Sequence, residues 1–234
     1  MTWEKKRVLV TVKAYPEKSK KYGEVVCTIG LTDEGDWIRL YPIPFNVFSG
    51  RDGLKKYDWI EVDCKRAEEN ISPSLEELRD NFDDDRTSIG LIKPAELLEF
   101  YKTDELKIYG DTKSFQQSLF GTCIPEIEEI PHLFSYRFRC FGCKEGTEHN
   151  IQCEDWELFE SYRSWGKKYG DTSLLWEKLH DKYYRLMKDN DLYFFMGMFS
   201  QFPTWLIVGL YYPPRNLEPS HRSKNRTLDE LQLR

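Results

Sequence analysis

One short run constrains this chain more than any other: Cys140, Cys143, His149 and Cys153 are spaced C-x2-C-x5-H-x3-C. Thiolate and neutral imidazole are the donors zinc prefers, and a C-x2-C pair on a tight turn is the usual first half of a structural tetrahedral site. To close such a site the chain must fold back on itself. The flanking segments Phe134 to Cys140 and Glu148 to Cys153 then become strands of a hairpin whose turn is the cysteine knuckle. Four protein ligands would leave no position for water, so the expected ion is a structural zinc that holds the hairpin together.

The spacing is similar to the C-x2-C-x4-H-x4-C of a zinc knuckle without matching it. On a strand, His149, Ile151 and Cys153 share one face. That suits a ligand pair or a packed face, and both readings of Cys153 stay open. His132 is an alternative fourth ligand, with a core or surface role as its other reading.

Composition supports a folded body around this hairpin. Aromatic residues make up 15% of the 234 residues, ample material for a core. No apolar run approaches the ~20 residues that span a bilayer, and the N-terminus leads into a strand-like segment instead of a signal peptide. A cytoplasmic protein with reduced thiols and no membrane partner is expected. The formal charge of −6 is uneven. Residues 1–66 hold thirteen basic against ten acidic residues, 67–130 hold six against sixteen, and the remainder fifteen against fourteen. This excludes a globally basic nucleic-acid binder but leaves room for a basic strip formed by Lys5, Lys6, Arg7, Lys13, Lys18, Lys20 and Lys21, or for ordinary solvated lysines.

Along the chain, residues 7–15 and 22–31 read as strands separated by a polar PEKSKK loop. Trp37 to Tyr41 reads as a strand stopped by Pro42 and Pro44, and Tyr57 to Cys64 as another. Four or five short strands fit a small barrel better than a sandwich. Ser72 or Ser74 can cap a helix running to Phe82, with Glu77 completing a capping box after Ser74. The Asp83 to Asp85 run is acidic enough to attract a cation or to be a solvated loop. Lys93-Pro94 is expected to open a second helix through Ala95, Leu97, Leu98 and Phe100. After the hairpin, two amphipathic helices follow at Trp156 to Tyr169 and around Leu175 to Leu186, then an apolar hairpin from Leu192 to Tyr212.

The segments Trp37 to Pro42, Ser88 to Pro94, Phe134 to Cys140, His149 with Asp155 to Glu157, and Trp205 to Pro214 resemble a family of uncharacterised bacterial proteins, the dual OB-containing domain family. That resemblance implies two OB-like barrels and a setting in bacterial defence or conflict systems, with no established activity. The expected class is α+β: an N-terminal OB-like lobe (1–70), a helical acidic connector (71–130), a second OB-like lobe carrying the knuckle and two inserted helices (131–215), and a flexible tail (216–234).

OB barrels commonly bind single strands by stacking bases on aromatic rings beside basic residues. The leading expectation is therefore a module for single-stranded nucleic acid or a nucleotide, using Trp37, Arg39, Tyr41, Lys55, Lys56 and Tyr57. Two alternatives stand beside it. One is a regulatory subunit that meets a partner protein through its aromatic residues and acidic insert. The other is a metal-dependent nuclease or nucleotide hydrolase using Asp155 and Glu157. Against the enzyme, both carboxylates fall at a helix start, where they stabilise unpaired N–H groups, and residues two apart on a helix do not share a face. No phosphate-cradling glycine loop, G-x-S-x-G elbow or H-E-x-x-H is present.

Overall fold

The computed structural model describes residues 4–19, 23–48, 53–64, 74–85, 89–104, 130–199 and 202–215. Two sheets and a helical layer make an α+β architecture. The first sheet has five strands, β1 (Glu4–Lys13), β2 (Glu17–Ser19), β3 (Gly23–Thr32), β4 (Trp37–Pro44) and β5 (Trp59–Cys64), in the order β2-β3-β1-β5 with β4 on β3. The second is a mixed sheet in the order β6-β10-β11-β9-β8-β7. Its strands are β6 (Ile89–Ile92), β7 (Pro94–Asp104), β8 (His132–Cys140), β9 (His149–Cys153), β10 (Tyr193–Phe199) and β11 (Phe202–Tyr211). The helices are α1 (Leu75–Asp85), α2 (Trp156–Tyr169) and α3 (Ser173–His180), the last continuing through a π-helical turn, Asp181–Leu186, to Met187–Asp189.

Strand β8 shows how sequence becomes layer. His132, Phe134, Tyr136, Phe138 and Cys140 are all buried, while the residues between them are half-exposed. On the buried face, Phe134 meets Phe159 and Tyr162 of α2, and the Tyr136 hydroxyl donates to the carbonyl of Tyr183 at 2.7 Å. On the open face, Arg137 and Arg139 clasp Glu148, with Glu99 and Glu96 completing the pairs. The two-residue period therefore divides one strand between core and solvent.

The sheets meet through an apolar cluster of Val12, Ala14, Cys27, Ile29, Ile89, Phe195 and Val208. Contact is close at Gly209, where a Cβ would lie 1.9 Å from Val12 Cγ1, so only glycine admits β1 there. Beyond β1 the chain zips onto the end of β9: Ala14 bridges Asp155, and Tyr15 N–H donates to the Glu154 carbonyl at 2.7 Å.

Three sequence expectations are corrected. Residues 94–100 form strand β7, not a helix. Register shifts between Pro94 and Glu96 and between Leu97 and Glu99 let Leu97 and Phe100, three apart, face Phe138 and Tyr136, two apart. Bulges thus gave a strand the spacing of a helix. Pro42 does not stop β4, which pairs with β3 and needs no donors on its other side, and the strand runs on to end at Pro44. The polar stretch after Pro16 is not all loop, since Glu17–Ser19 pairs with β3. The expected capping at Ser74 holds, its Oγ accepting from Glu77 N–H at 3.2 Å. Ser72, most of the acidic stretch after Asp104, and the tail from 216 lie outside the described residues.

Candidate functional site

The β8–β9 hairpin brings Cys140, Cys143 and His149 together, their ligand atoms all within 4.8 Å of one another. Cys140 ends β8 and His149 opens β9. The turn between them uses Gly146 at φ +81° and a Thr147 N–H bond to the Lys144 carbonyl. The imidazole packs on Phe138 with ring centroids 5.4 Å apart and sets Nε2 3.2 Å from Cys143 Sγ. The first turn of α1 covers this knuckle. The Leu75 N–H lies close enough to the Cys140 sulfur to favour its thiolate, Glu76 Oε2 accepts from Lys144 N–H at 3.2 Å, and Gly142 lies so near Ser74 that a Cβ there would be 2.8 Å away.

Burial pushes the Cys140 thiol up to about 12, with Cys143 adding to the shift and Leu75 N–H opposing it. Burial, together with Arg79 and against Glu76, lowers His149, which favours the neutral imidazole a metal requires. Two sulfurs and one neutral nitrogen at this separation form a donor set that can hold a metal ion.

Cys153 is not part of that set. It shares a face with His149, but four residues of strand at about 3.3 Å each put it roughly 13 Å away. It is fully buried between Phe134 and Ile207, and burial pushes its thiol well up, so the packed-face reading is the observed one. His132 lies at the opposite end of β8 from Cys140, with its Nε2 3.3 Å from Asp171 and 3.1 Å from Lys102, and does not ligate.

The six residues expected to meet nucleic acid fall into two groups. Strands β1 and β3 separate β4, which carries Trp37, Arg39 and Tyr41, from β5 and the turn before it, which holds Lys55, Lys56 and Tyr57. Trp37 packs edge-on against Phe195 at 4.9 Å and near Tyr211, joining the contact between sheets. Tyr41 is 45% exposed, with the Arg39 guanidinium 5.1 Å from its ring centre. Tyr57, at φ +73°, is 55% exposed beside Lys56. Lys55 is exposed, and its backbone N–H donates to Asp58. Of the expected basic strip, Lys5 pairs with Glu61, Lys6 with Glu34, Arg7 lies over Trp59 and Lys13 is buried, while Lys20 and Lys21 lie outside the described residues.

A second constellation lies where β1 meets α2. Asp155 is the N-cap of α2: one carboxylate oxygen accepts from Leu158 N–H at 3.1 Å and the other from Leu210 N–H at 2.9 Å. That is the structural role its position predicted. Because Asp155 is extended and not yet helical, Asp155 and Glu157 can face the same lysines despite being two apart. Lys13, Lys56 and Lys182 all lie within electrostatic reach of both carboxylates. Burial lowers Lys13 and Lys182 and raises Glu157. Burial opposes the Lys56 charge too, but Asp155 and Glu157 outweigh it and raise the group. In sequence Lys13 falls on the candidate basic strip or among ordinary solvated lysines, and Lys182 carries no signal of its own. The missed signal was a lysine set inside the apolar strand VLVTVKAY.

Among the described residues, no helix is long and apolar enough to cross a membrane. No curated protein and no solved structure matches the chain. Residues 4–84 match a family described as Domain of unknown function (DUF8758), and residues 71–232 match one described as Domain of unknown function (DUF8757), so α1 is shared by both matches. With most of its length in the second match, including the knuckle and the helical layer, the chain belongs to the DUF8757 family.

Proposed function

We propose that this protein is a binding module for single-stranded nucleic acid or a nucleotide. The observation that carries this is the pairing of exposed rings with cations on the first sheet, Arg39 over Tyr41 and Lys56 over Tyr57. An exposed ring offers any base a stacking face, worth about 1 to 3 kcal/mol per base, and the adjacent cation meets the phosphate. The small, bulged first sheet, in which β1 is shared between β3 and β5, supports an OB-like reading of the first lobe. The acidic middle of the chain argues for a ligand held by a few contacts and not by a broad charged face. The test is fluorescence anisotropy with single-stranded and duplex DNA and RNA across a salt series. Saturable, salt-sensitive binding that weakens in Arg39→Ala with Tyr41→Ala is expected; unchanged affinity in that double variant removes the β4 pair from the site.

The knuckle supports a structural role for zinc. Its donors are the ones zinc prefers, and with Cys153 and His132 elsewhere the three of them leave the fourth position of a tetrahedral ion to water or a further group, so the structural reading rests on the turn and the helix that the three donors adjoin. Bound zinc would pin the hairpin turn and, through the Cys140 sulfur, the first turn of α1. Metal analysis of protein purified without added zinc is expected to give about one equivalent. Less than a tenth of an equivalent rejects the site.

A further inference from the structure

We infer that Lys13, Lys56, Lys182 and Glu157 form an anion site at the seam between the first sheet and the helical layer, built for the phosphate of a nucleotide-type ligand. The choice of a nucleotide as phosphate carrier rests on the binding-module reading above; the anion site itself does not.

Lys13 is the starting point. It is 7% exposed, and its ammonium lies 4.9 Å from the ring centre of Phe48 and 4.8 Å from that of Trp156. Buried lysines are ordinarily paired with a carboxylate. Among the described residues no carboxylate lies at ion-pair distance from Lys13, although Glu157, Glu160 and Asp155 are near enough to be felt. The other two ammoniums are held in place by neutral oxygens. Lys56 Nζ donates to the Leu210 carbonyl at 3.1 Å, and Lys182 Nζ to Ser161 Oγ at 3.3 Å, with Tyr183 and Trp165 rings beside the latter. Each therefore keeps N–H groups to give.

The acidic side is equally telling. Each oxygen of Asp155 already accepts a backbone N–H and Glu160 pairs with Arg163, so Glu157 is the carboxylate here without such a partner among the described residues. Three ammoniums surround the first turns of α2, Lys13 over the Trp156 ring, Lys56 on the carbonyl of Leu210 whose N–H binds Asp155, and Lys182 on Ser161, and among the described residues none of them is ion-paired to Asp155 or Glu157. A fold that needed only stability would have closed these charges onto one another or replaced them with apolar groups. A nucleotide satisfies all four groups: phosphate oxygens accept from the lysines, and a hydroxyl or ring N–H donates to Glu157.

The test is isothermal titration of the full chain with inorganic pyrophosphate, with ATP, and with an oligothymidylate in 5′-phosphorylated and unphosphorylated forms. Pyrophosphate and ATP are expected to bind the wild type. Lys13→Met and Lys182→Met should each weaken both by roughly tenfold or more, and Glu157→Gln should tighten pyrophosphate several-fold by removing the opposing charge. Methionine fills the space between Phe48 and Trp156 without a charge, and circular dichroism confirms the fold. Failure of pyrophosphate and ATP to bind at millimolar concentration, or binding indifferent to Lys13→Met, overturns the inference. Oligonucleotide binding that ignores both the 5′ phosphate and Lys13 leaves the module reading standing and the seam site refuted. Lysine-dependent pyrophosphate binding without any nucleotide or strand binding does the reverse.

Discussion

At one end of β9, His149 meets two thiols contributed by the same hairpin; at the other, just past Cys153, Asp155 and Glu157 meet lysines drawn from β1, the turn before β5 and the π-helical turn. The first end is soft, neutral and local in sequence. The second is hard, charged and assembled from positions as far apart as 13 and 182. Five residues of strand keep the two chemistries apart. The comparison teaches that a compact sequence cluster need not be a compact spatial one, because an extended chain spends about 3.3 Å per residue.

Metal removal should separate the two ends most sharply. Chelation, or Cys140→Ser, is expected to cost about 3 kcal/mol or more and to loosen α1, seen as faster amide exchange around Leu75 and Leu78. Cys153→Ala should leave metal content at the wild-type value. If it abolishes metal binding, the two ends are not distinct. Next in size, Asp155→Ala strands two buried N–H groups and should cost about 2 to 3 kcal/mol by denaturant unfolding, again without loss of metal. Lys13→Met is expected to act in the opposite direction, raising stability by about 1 kcal/mol, since an ammonium without a carboxylate partner leaves the interior. A marked loss would show that Lys13 is a structural cation.

The smallest effect carries a pH signature. Glu157 is raised in the folded protein, chiefly by burial, so its ionised form destabilises the fold at pH values above the folded pKa, and that penalty vanishes below the unfolded value near 4.5. Glu157→Gln should therefore stabilise by up to about 1 kcal/mol at pH 7 and by nothing near pH 4. Thermal melts of the variant and wild type at both pH values check this. A gain that persists at low pH would mean that something other than the buried charge is responsible.

The same locality explains what could be read from sequence. The knuckle was legible because C-x2-C and His149 are joined by one turn, and β8 because its alternation is unbroken from His132 to Cys140. The helical layer was legible from the spacing of Trp156, Phe159 and Tyr162. What failed did so where a local rule was overridden: the bulges of β7 imitated a helical period, and the edge position of β4 excused Pro42. The seam was illegible because no pattern within one segment announces that Lys13 and Lys182 will face Glu157. The register shift between Val10 and Val12, which leaves residues 11–14 all buried, turned a lysine of apparently solvent phase inward.

The order of the second sheet bears on how the chain reaches its native state. Its central hairpin, β10 with β11, is made after every other strand of that sheet, yet β6 has β10 as its ladder partner and β9 joins β11 by a parallel pairing of Cys153 with Ile207. During synthesis the β7–β8–β9 unit can form early with its knuckle, while β6 waits for a partner about a hundred residues downstream. Non-local pairing of this kind slows folding and leaves edges exposed in the meantime. An ion clasped early by the hairpin would hold one rim of the unfinished sheet in register until β10 and β11 slide into its middle.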